Sequence, residues 1–131
     1  MTKNIKVNAR YKSEKSIAAD LDMQAVVGSG SNWEKGREDF IGKKDDPRLG
    51  QSKSTGRRNA VLVRYLDLFQ LWKNAHKAGK DFPIFVLEFE TPMVNTDDGQ
   101  EVALPEKERW VAMPFADYKL LWATYIEKLF S

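Results

Sequence analysis

The chain has 131 residues, of which 42% are hydrophobic and 31% are charged, and its formal net charge is +2. These values are typical of one globular domain with its own core, and they exclude a disordered chain and a coiled coil. The chain has no cysteine and a single histidine, His76, which excludes disulfides, thiol nucleophiles and cysteine-ligated zinc and argues against triads and histidine-based metal sites.

The charge is unevenly distributed along the chain. Residues 81–131 contain ten acidic and four basic side chains, whereas residues 1–80 contain nine acidic and seventeen basic ones. The basic half is a candidate surface for a polyanion, although charges scattered over an ordinary solvated surface would give the same count. No apolar run approaches the roughly 20 residues that span a bilayer, and residues 1–15 lack the apolar stretch of a secretory signal. We therefore expect a cytoplasmic protein with no membrane partner.

The first predicted elements are a short helix and three strands. Ile17, Ala18 and Leu21 recur at helical spacing, and Ser13 is placed to cap this helix. Residues 24–27 read as a strand that runs into a flexible Gly-Ser turn. In the charged, glycine-rich segment that follows, we place two short strands, around residues 39–41 and 48–54.

A long amphipathic helix is predicted next, over residues 60–78, with Gly79 as its stop. Leu66, Phe69 and Trp72 lie at helical spacing, so we expect them in the core. An apolar strand over 82–90 follows, then a polar connection over 91–108 with Asp98-Gly99 turn chemistry.

The last two predicted elements are a strand over 109–114, which pairs with strand 82–90, and a helix over 115–130 that Pro114 opens. We expect Trp110 and Trp122 to serve packing. A helix between strands implies a crossover and at least one parallel pair, so the order of elements predicts a mixed α/β layer.

The candidate chemistry depends on four side chains. A nuclease without histidine or cysteine can hold Mg²⁺ with carboxylates and aim a lysine at the attacking water. Residues i and i+2 of a strand face the same side, so an acid-x-Lys tripeptide brings a ligand and a lysine together. Here Lys53 is the lysine, Gln51 stands at the ligand position, Asp39 lies on the preceding strand, and Glu14 on the first helix can reach the same cluster. By spacing alone, the pattern is more typical of ordinary surface residues.

Five sequence blocks carry a resemblance over roughly residues 10–125: KSEKSIAADL, VVGSGSNWEKGREDF, LGQSKST, LFQLWKNAHKAGKDFPIFVLEFE and RWVAMPFADYKLLW. In this order and at these separations they resemble the Holliday-junction-resolvase-like endonucleases of the PD-(D/E)XK superfamily, of bacteriophage type. The resemblance implies a restriction-endonuclease-like α/β fold, with a mixed sheet flanked by helices, an αβββαβ core, an extra strand and a C-terminal helix. It also implies a host-cell cytoplasmic location if the gene is carried by a phage.

The resemblance also implies roles for individual residues. Glu14, Asp39 and Gln51 match the metal-binding positions for Mg²⁺, with Mn²⁺ as a substitute, and Lys53 matches the lysine that orients water. The positions expected at the DNA backbone are Ser29, Gly30, Ser31, Lys35, Arg37, Arg57 and Arg58. The implied partner is branched DNA such as a four-way junction or fork, cut by a homodimer, because symmetric cleavage needs two active sites.

Gln51 departs from the pattern of the family. An amide keeps the shape and one carbonyl oxygen of a glutamate but removes a full negative charge from a site for a hard dication. Three explanations remain: an engineered substitution, a natural homologue that binds without cutting, or a shifted motif in which Asp45 or Asp46 supplies the charge. LGQSKST fits the family on both sides of the glutamine, so we favour a loss at position 51.

Three functions follow for testing. The first is a Mg²⁺-dependent, structure-selective DNA endonuclease, weakened or inactive because of Gln51. The second is a non-catalytic DNA-binding protein that keeps the nuclease fold. The third is a small phage protein that modulates a host enzyme through its acidic C-terminal half.

Overall fold

The structure, a computed structural model, describes residues 13–26, 38–55 and 59–131. These residues contain three helices and seven strands. A helix covers residues 13–20 (α1), and two further helices are Tyr65–Lys77 (α2) and Phe115–Leu129 (α3). The strands are Met23–Ala25 (β1), Phe40–Gly42 (β2), Arg48–Thr55 (β3), Phe82–Phe89 (β4), Met93–Asn95 (β5), Glu101–Ala103 (β6) and Glu108–Ala112 (β7).

Five of these strands form a mixed sheet in the order β1-β2-β3-β4-β7. The pairs β1–β2, β2–β3 and β4–β7 are antiparallel, whereas β3 and β4 are parallel from Arg48–Phe82 to Thr55–Phe89. A parallel pair needs a crossover, which α2 supplies. The predicted mixed α/β sheet with helices on it is therefore confirmed.

Side chains alternate across β4 and define the two faces of the sheet. Ile84 and Val86 pack with Ile17 and Ala18 of α1 and with Phe40, and we call this side the α1 face. On the opposite side, the α2 face, Phe85 and Leu49 pack against Leu71 and Ala75 of α2. Each face thus has its own small core, under its own helix.

Gly50 fixes which face each residue of β3 occupies. A Cβ atom at Gly50 would lie only 1.9 Å from Cε2 of Phe40, so this position points to the α1 face and is closed to any side chain. Ser52 shares that face by alternation, whereas Leu49, Gln51 and Lys53 point to the α2 face.

The buried side of α2 differs from the one predicted. Leu66, Phe69 and Trp72 are 73%, 43% and 45% exposed, and the residues that α2 buries are Leu71, Asn74 and Ala75. The prediction of a core role for the first three residues was wrong. Helical periodicity shows which residues share a stripe, but α2 has two apolar stripes, and the sheet covers the less aromatic one.

An apolar groove runs along the other flank of α2. It has a volume of about 450 Å³ and lies between α2 and the adjoining ends of β4 and β7. We call it the α2 groove, and its lining residues are Tyr65, Leu68, Phe69, Leu71, Trp72, Pro83, Phe85, Ala112, Met113 and Pro114.

The closing helix has no buried residue. Trp122 on α3 is 53% exposed, and Trp110 on β7 is 66% exposed, so neither serves the packing role predicted for it. Among the residues described, no helix combines the length and the apolar character needed to cross a membrane.

The segment predicted as a polar connection contains a separate hairpin, β5–β6. Its turn has the predicted chemistry, because Gly99 has a φ of +85° and its N–H donates to the carbonyl of Thr96 at 2.9 Å. The Asn59 side chain exchanges two hydrogen bonds with the backbone of Met93, at 2.7 and 3.1 Å, and so ties the hairpin to the chain before α2.

Candidate functional site

Asp39 lies against the part of β3 that carries the predicted acid-x-Lys motif. It is buried at the start of β2, and its carbonyl accepts a hydrogen bond from the backbone of Val26 at 2.9 Å. Its carboxylate Oδ2 accepts hydrogen bonds from the backbone N–H of Ser52 at 2.9 Å and from the Ser52 hydroxyl at 3.2 Å. Ser52 is the residue between Gln51 and Lys53, so the structure brings Asp39 to the predicted strand segment.

Gln51 and Lys53 are half-buried on the α2 face, where they share a side as predicted. Nζ of Lys53 lies 3.5 Å from Oδ2 of Asp67, near the start of α2. The same Asp67 carboxylate accepts a hydrogen bond from the backbone N–H of Arg64 at 3.2 Å and so stabilises the helix start. The ammonium is therefore directed at α2.

Glu14 lies on the other side of the sheet. It is buried on α1, and it shares the helical stripe of Ile17 and Ala18, which pack on the α1 face. The sheet therefore separates Glu14 from Lys53 and Gln51, and the four predicted side chains do not all meet on one face.

A buried polar chain joins the β2 edge to α2. The amide nitrogen of Asn74 donates to Oε1 of Glu38, and Gln70 donates to Oδ1 of Asn74 at 3.0 Å. Burial raises the pKa of Glu38 to about 7, and the charge of neighbouring Asp39 acts in the same direction, whereas the Asn74 hydrogen bond opposes both. Sequence reasoning missed the buried Asn74. The signal that could have indicated it is its position one helical turn from the apolar Leu71, on the same side of α2.

Another buried carboxylate, Glu88 of β4, lies on the α1 face and is paired with Arg109 and Ser13. Arg109 of β7 donates from Nε to Oε2 at 2.8 Å, and the Ser13 hydroxyl lies 3.0 and 3.1 Å from the two carboxylate oxygens. Arg109 also contacts Asp20 of α1 at 3.0 Å. Ser13, the first residue of α1 that the structure describes, thus ties this helix to the sheet through its hydroxyl.

The donor set at the β2–β3 edge is small. Asp39 supplies one carboxylate and Gln51 one uncharged carbonyl oxygen, and in the described ranges no three or more acidic or histidine side chains are grouped to hold a metal. The Asp39 carboxylate fits a Mg²⁺ ion that keeps most of its water and takes further ligands from a phosphate. This carboxylate contacts the Ser52 hydroxyl, whereas Gln51 points to the α2 face and Glu14 lies on the α1 face, so the predicted set of three ligands is not brought together.

The predicted DNA-contacting positions cannot be added to this geometry. Ser29, Gly30, Ser31, Lys35, Arg37, Arg57 and Arg58 all lie outside the residues that the structure describes. Comparison with known proteins gave no further guidance, because no family model, curated protein or solved structure matches the chain.

Proposed function

We propose that the chain is a Mg²⁺-dependent, structure-selective endonuclease for branched DNA, of restriction-endonuclease-like fold, weakened by Gln51. The observation that supports this proposal most is the position of the Asp39 carboxylate against residues 51–53 of β3. A carboxylate just before one strand and a lysine on the next are groups that can serve metal-assisted phosphodiester hydrolysis.

Each residue of the β2–β3 edge has a role in this proposal. Asp39 would hold the metal and position 51 would offer a second protein oxygen; the charge of a bound ion would stabilise the scissile phosphate. Lys53 orients the attacking water, for which its ammonium must leave Asp67. This pair is partly exposed, so its separation costs no more than about 1 kcal/mol.

The proposed partner is DNA, contacted through the basic half of the chain. Phosphate contacts by lysine and arginine make affinity fall steeply with salt, whatever the DNA sequence. A four-way junction has two equivalent strands to cut, so a homodimer with two sites suits it.

The test compares the chain as it stands with Gln51→Glu on labelled junction, fork and duplex DNA in Mg²⁺ and in Mn²⁺. The added carboxylate at position 51 should raise cleavage by at least tenfold, because it restores the charge that a hard dication needs. Gln100→Glu, which makes the same change in the β5–β6 turn, is the matched control and should change nothing. Equal cleavage by the unaltered chain and by the Gln51→Glu variant would remove position 51 from the site.

A second substitution tests the lysine. Lys53→Ala in the Gln51→Glu background should abolish cutting and leave DNA binding within about twofold, because Lys53 acts on water rather than on the DNA backbone. Lys73→Ala, at an exposed position of α2, is the control for loss of one positive charge. Normal turnover by the Lys53→Ala form would contradict the assignment.

A non-catalytic DNA-binding protein is the second candidate. The position of Glu14 across the sheet from Lys53 favours it, because the acidic side chain expected to support the metal is then not on the face of the lysine. It predicts salt-sensitive DNA binding and no product with either metal, even after Gln51→Glu. Absence of binding at moderate salt would count against both candidates and favour the host-enzyme modulator.

A further inference from the structure

The α2 groove and α3 are complementary apolar surfaces that the described chain leaves uncovered. The groove is concave and lined with aromatic and aliphatic side chains, and α3 is a helix without a buried residue. We propose that α3 of one copy of the chain seats in the α2 groove of a second copy, and that the exchange is reciprocal about a twofold axis. This inference depends on these two surfaces and not on the proposed nuclease activity.

The helix needs a partner to be stable. An isolated helix of about 15 residues is marginal in water, so most helical stability comes from packing of an apolar face. Tyr118, Trp122 and Tyr125 lie at spacings of three and four along α3, and each is about half exposed. Leu121 and Leu129 extend the same stripe.

The groove suits a helix of this size. Tyr65, Phe69 and Trp72 form a stacked row, with ring centroids 6.3 and 6.1 Å apart. The row follows the 13-residue α2, which is about 20 Å long, and the 15-residue α3 is about 22 Å long. A helix laid beside α2 would cover the row and the apolar ends of β4 and β7 below it.

A second copy covers both surfaces in one step, whereas a foreign partner would cover only one of them. Pro114, which lines the groove, is also the residue from which α3 starts, so helix and groove adjoin in each chain. An exchange of this kind uses the same patch on both copies and closes as a dimer.

The area available is sufficient for a stable dimer. A fully exposed aromatic side chain offers about 150–250 Å², so half-exposed rings on α3 and in the groove offer on the order of 100 Å² each. Three such rings on α3 and three in the groove give about 600 Å² for each helix-in-groove contact, so two contacts would bury roughly 1,200 Å² from the rings alone, above the roughly 1,000 Å² expected of a specific interface.

The test uses one substitution on each surface. Phe69→Glu places a charge in the groove, and Leu121→Lys places the opposite charge on α3; both side chains are partly exposed, so folding should survive. Light scattering after size exclusion should show a dimer for the unaltered chain and monomers for each variant. Leu62→Glu is the control, because Leu62 is an exposed leucine that does not line the groove, and this variant should remain dimeric.

Mixing the two variants tests whether α3 of each copy seats in the α2 groove of the other. An equimolar mixture should form a heterodimer, because one of its two contacts is unaltered and the other pairs glutamate with lysine. Circular dichroism and cooperative unfolding of each variant alone establish that it is folded. A monomeric unaltered chain would overturn the proposal, as would variants that remain dimeric, or folded variants that stay monomeric when mixed. None of these measurements depends on DNA cleavage.

Discussion

Gly50 allows β2 and β3 to pair over the fully buried ring of Phe40. A Cβ at position 50 would lie 1.9 Å from that ring, and the ring is held by the α1 core. Gly50→Ala should therefore lower the free energy of unfolding by about 3 kcal/mol, at the upper end of the effect of overpacking. Urea denaturation measures the change. Phe40→Leu in the same chain should recover part of the loss, and an unaltered midpoint for Gly50→Ala alone would contradict the packing described.

The Glu38 carboxyl makes stability depend on pH in an unusual direction. Its pKa rises from 4.5 to about 7 on folding, chiefly through burial. Between these two pH values the unfolded chain ionises at this position and the folded chain does not. The contribution of Glu38 is therefore fully favourable below pH 4.5, falls as the pH rises, and is lost above about pH 7.

Glu38→Gln removes this dependence, because the amide stays neutral and its oxygen can still accept from Asn74. The variant should match the unaltered chain near pH 4 and exceed its free energy of unfolding by about 3 kcal/mol near pH 8. Urea denaturation across this range provides the comparison. Glu90→Gln, at an exposed position, serves as the control, and a constant difference at all pH values would argue against a buried, neutral Glu38.

At the residue scale, the sequence predicted that Gln51 and Lys53 share a face, because strand alternation is a local property. Which helix covers that face is a non-local property that the sequence does not show. Glu14 was therefore assigned to the same cluster, although α1 packs on the opposite face. Asn74 and Glu38 show the same limit, since their contact spans 36 positions and links a loop end to a helix.

At the scale of elements, Arg109 joins α1, β4 and β7. It pairs with Glu88, which is only 1% exposed, and with Asp20. Arg109→Met should cost about 3 kcal/mol of stability, because it leaves a buried carboxylate without its main counter-charge. Thermal or urea unfolding measures it.

A double variant separates charge from shape at this junction. Glu88→Gln together with Arg109→Met should recover much of the loss, because no uncompensated buried charge remains. Lys107→Met is the control: the ammonium of Lys107 is 3.8 Å from Glu88 and largely exposed, so its removal should cost less than about 1 kcal/mol. An Arg109→Met cost no larger than that of Lys107→Met would show that the pairing is incidental.

The helices and long strands were predictable because each carries its own period. β4 was identified to within one residue, and the hairpin turn at Gly99 was identified from its residues. The end of α2 was also identified to within one residue, but the helix starts at Tyr65 rather than at residue 60. The strands β5 and β6 were missed because they are three residues long and mostly exposed, so they show no alternation. The exposed stripe of α2 was taken for core because an apolar stripe has the same pattern whether a sheet or a second molecule covers it.

At the scale of the whole molecule, the order of elements was enough to predict a mixed sheet, because a helix between two strands requires a crossover. The order of elements does not show whether each helix packs on the sheet of the same chain. Nothing local in α3 distinguishes a helix that packs within its chain from one that packs on another.

The parallel pair at the centre of the sheet has a consequence for folding. Every rung between β3 and β4 joins residues 34 positions apart, so no rung can form until the whole intervening segment, α2 included, has closed into a loop. Once one rung exists, the remaining rungs form at little extra entropic cost. Native-state amide hydrogen exchange should therefore find the backbone of these two strands opening as a single cooperative unit, together with the helix that connects them.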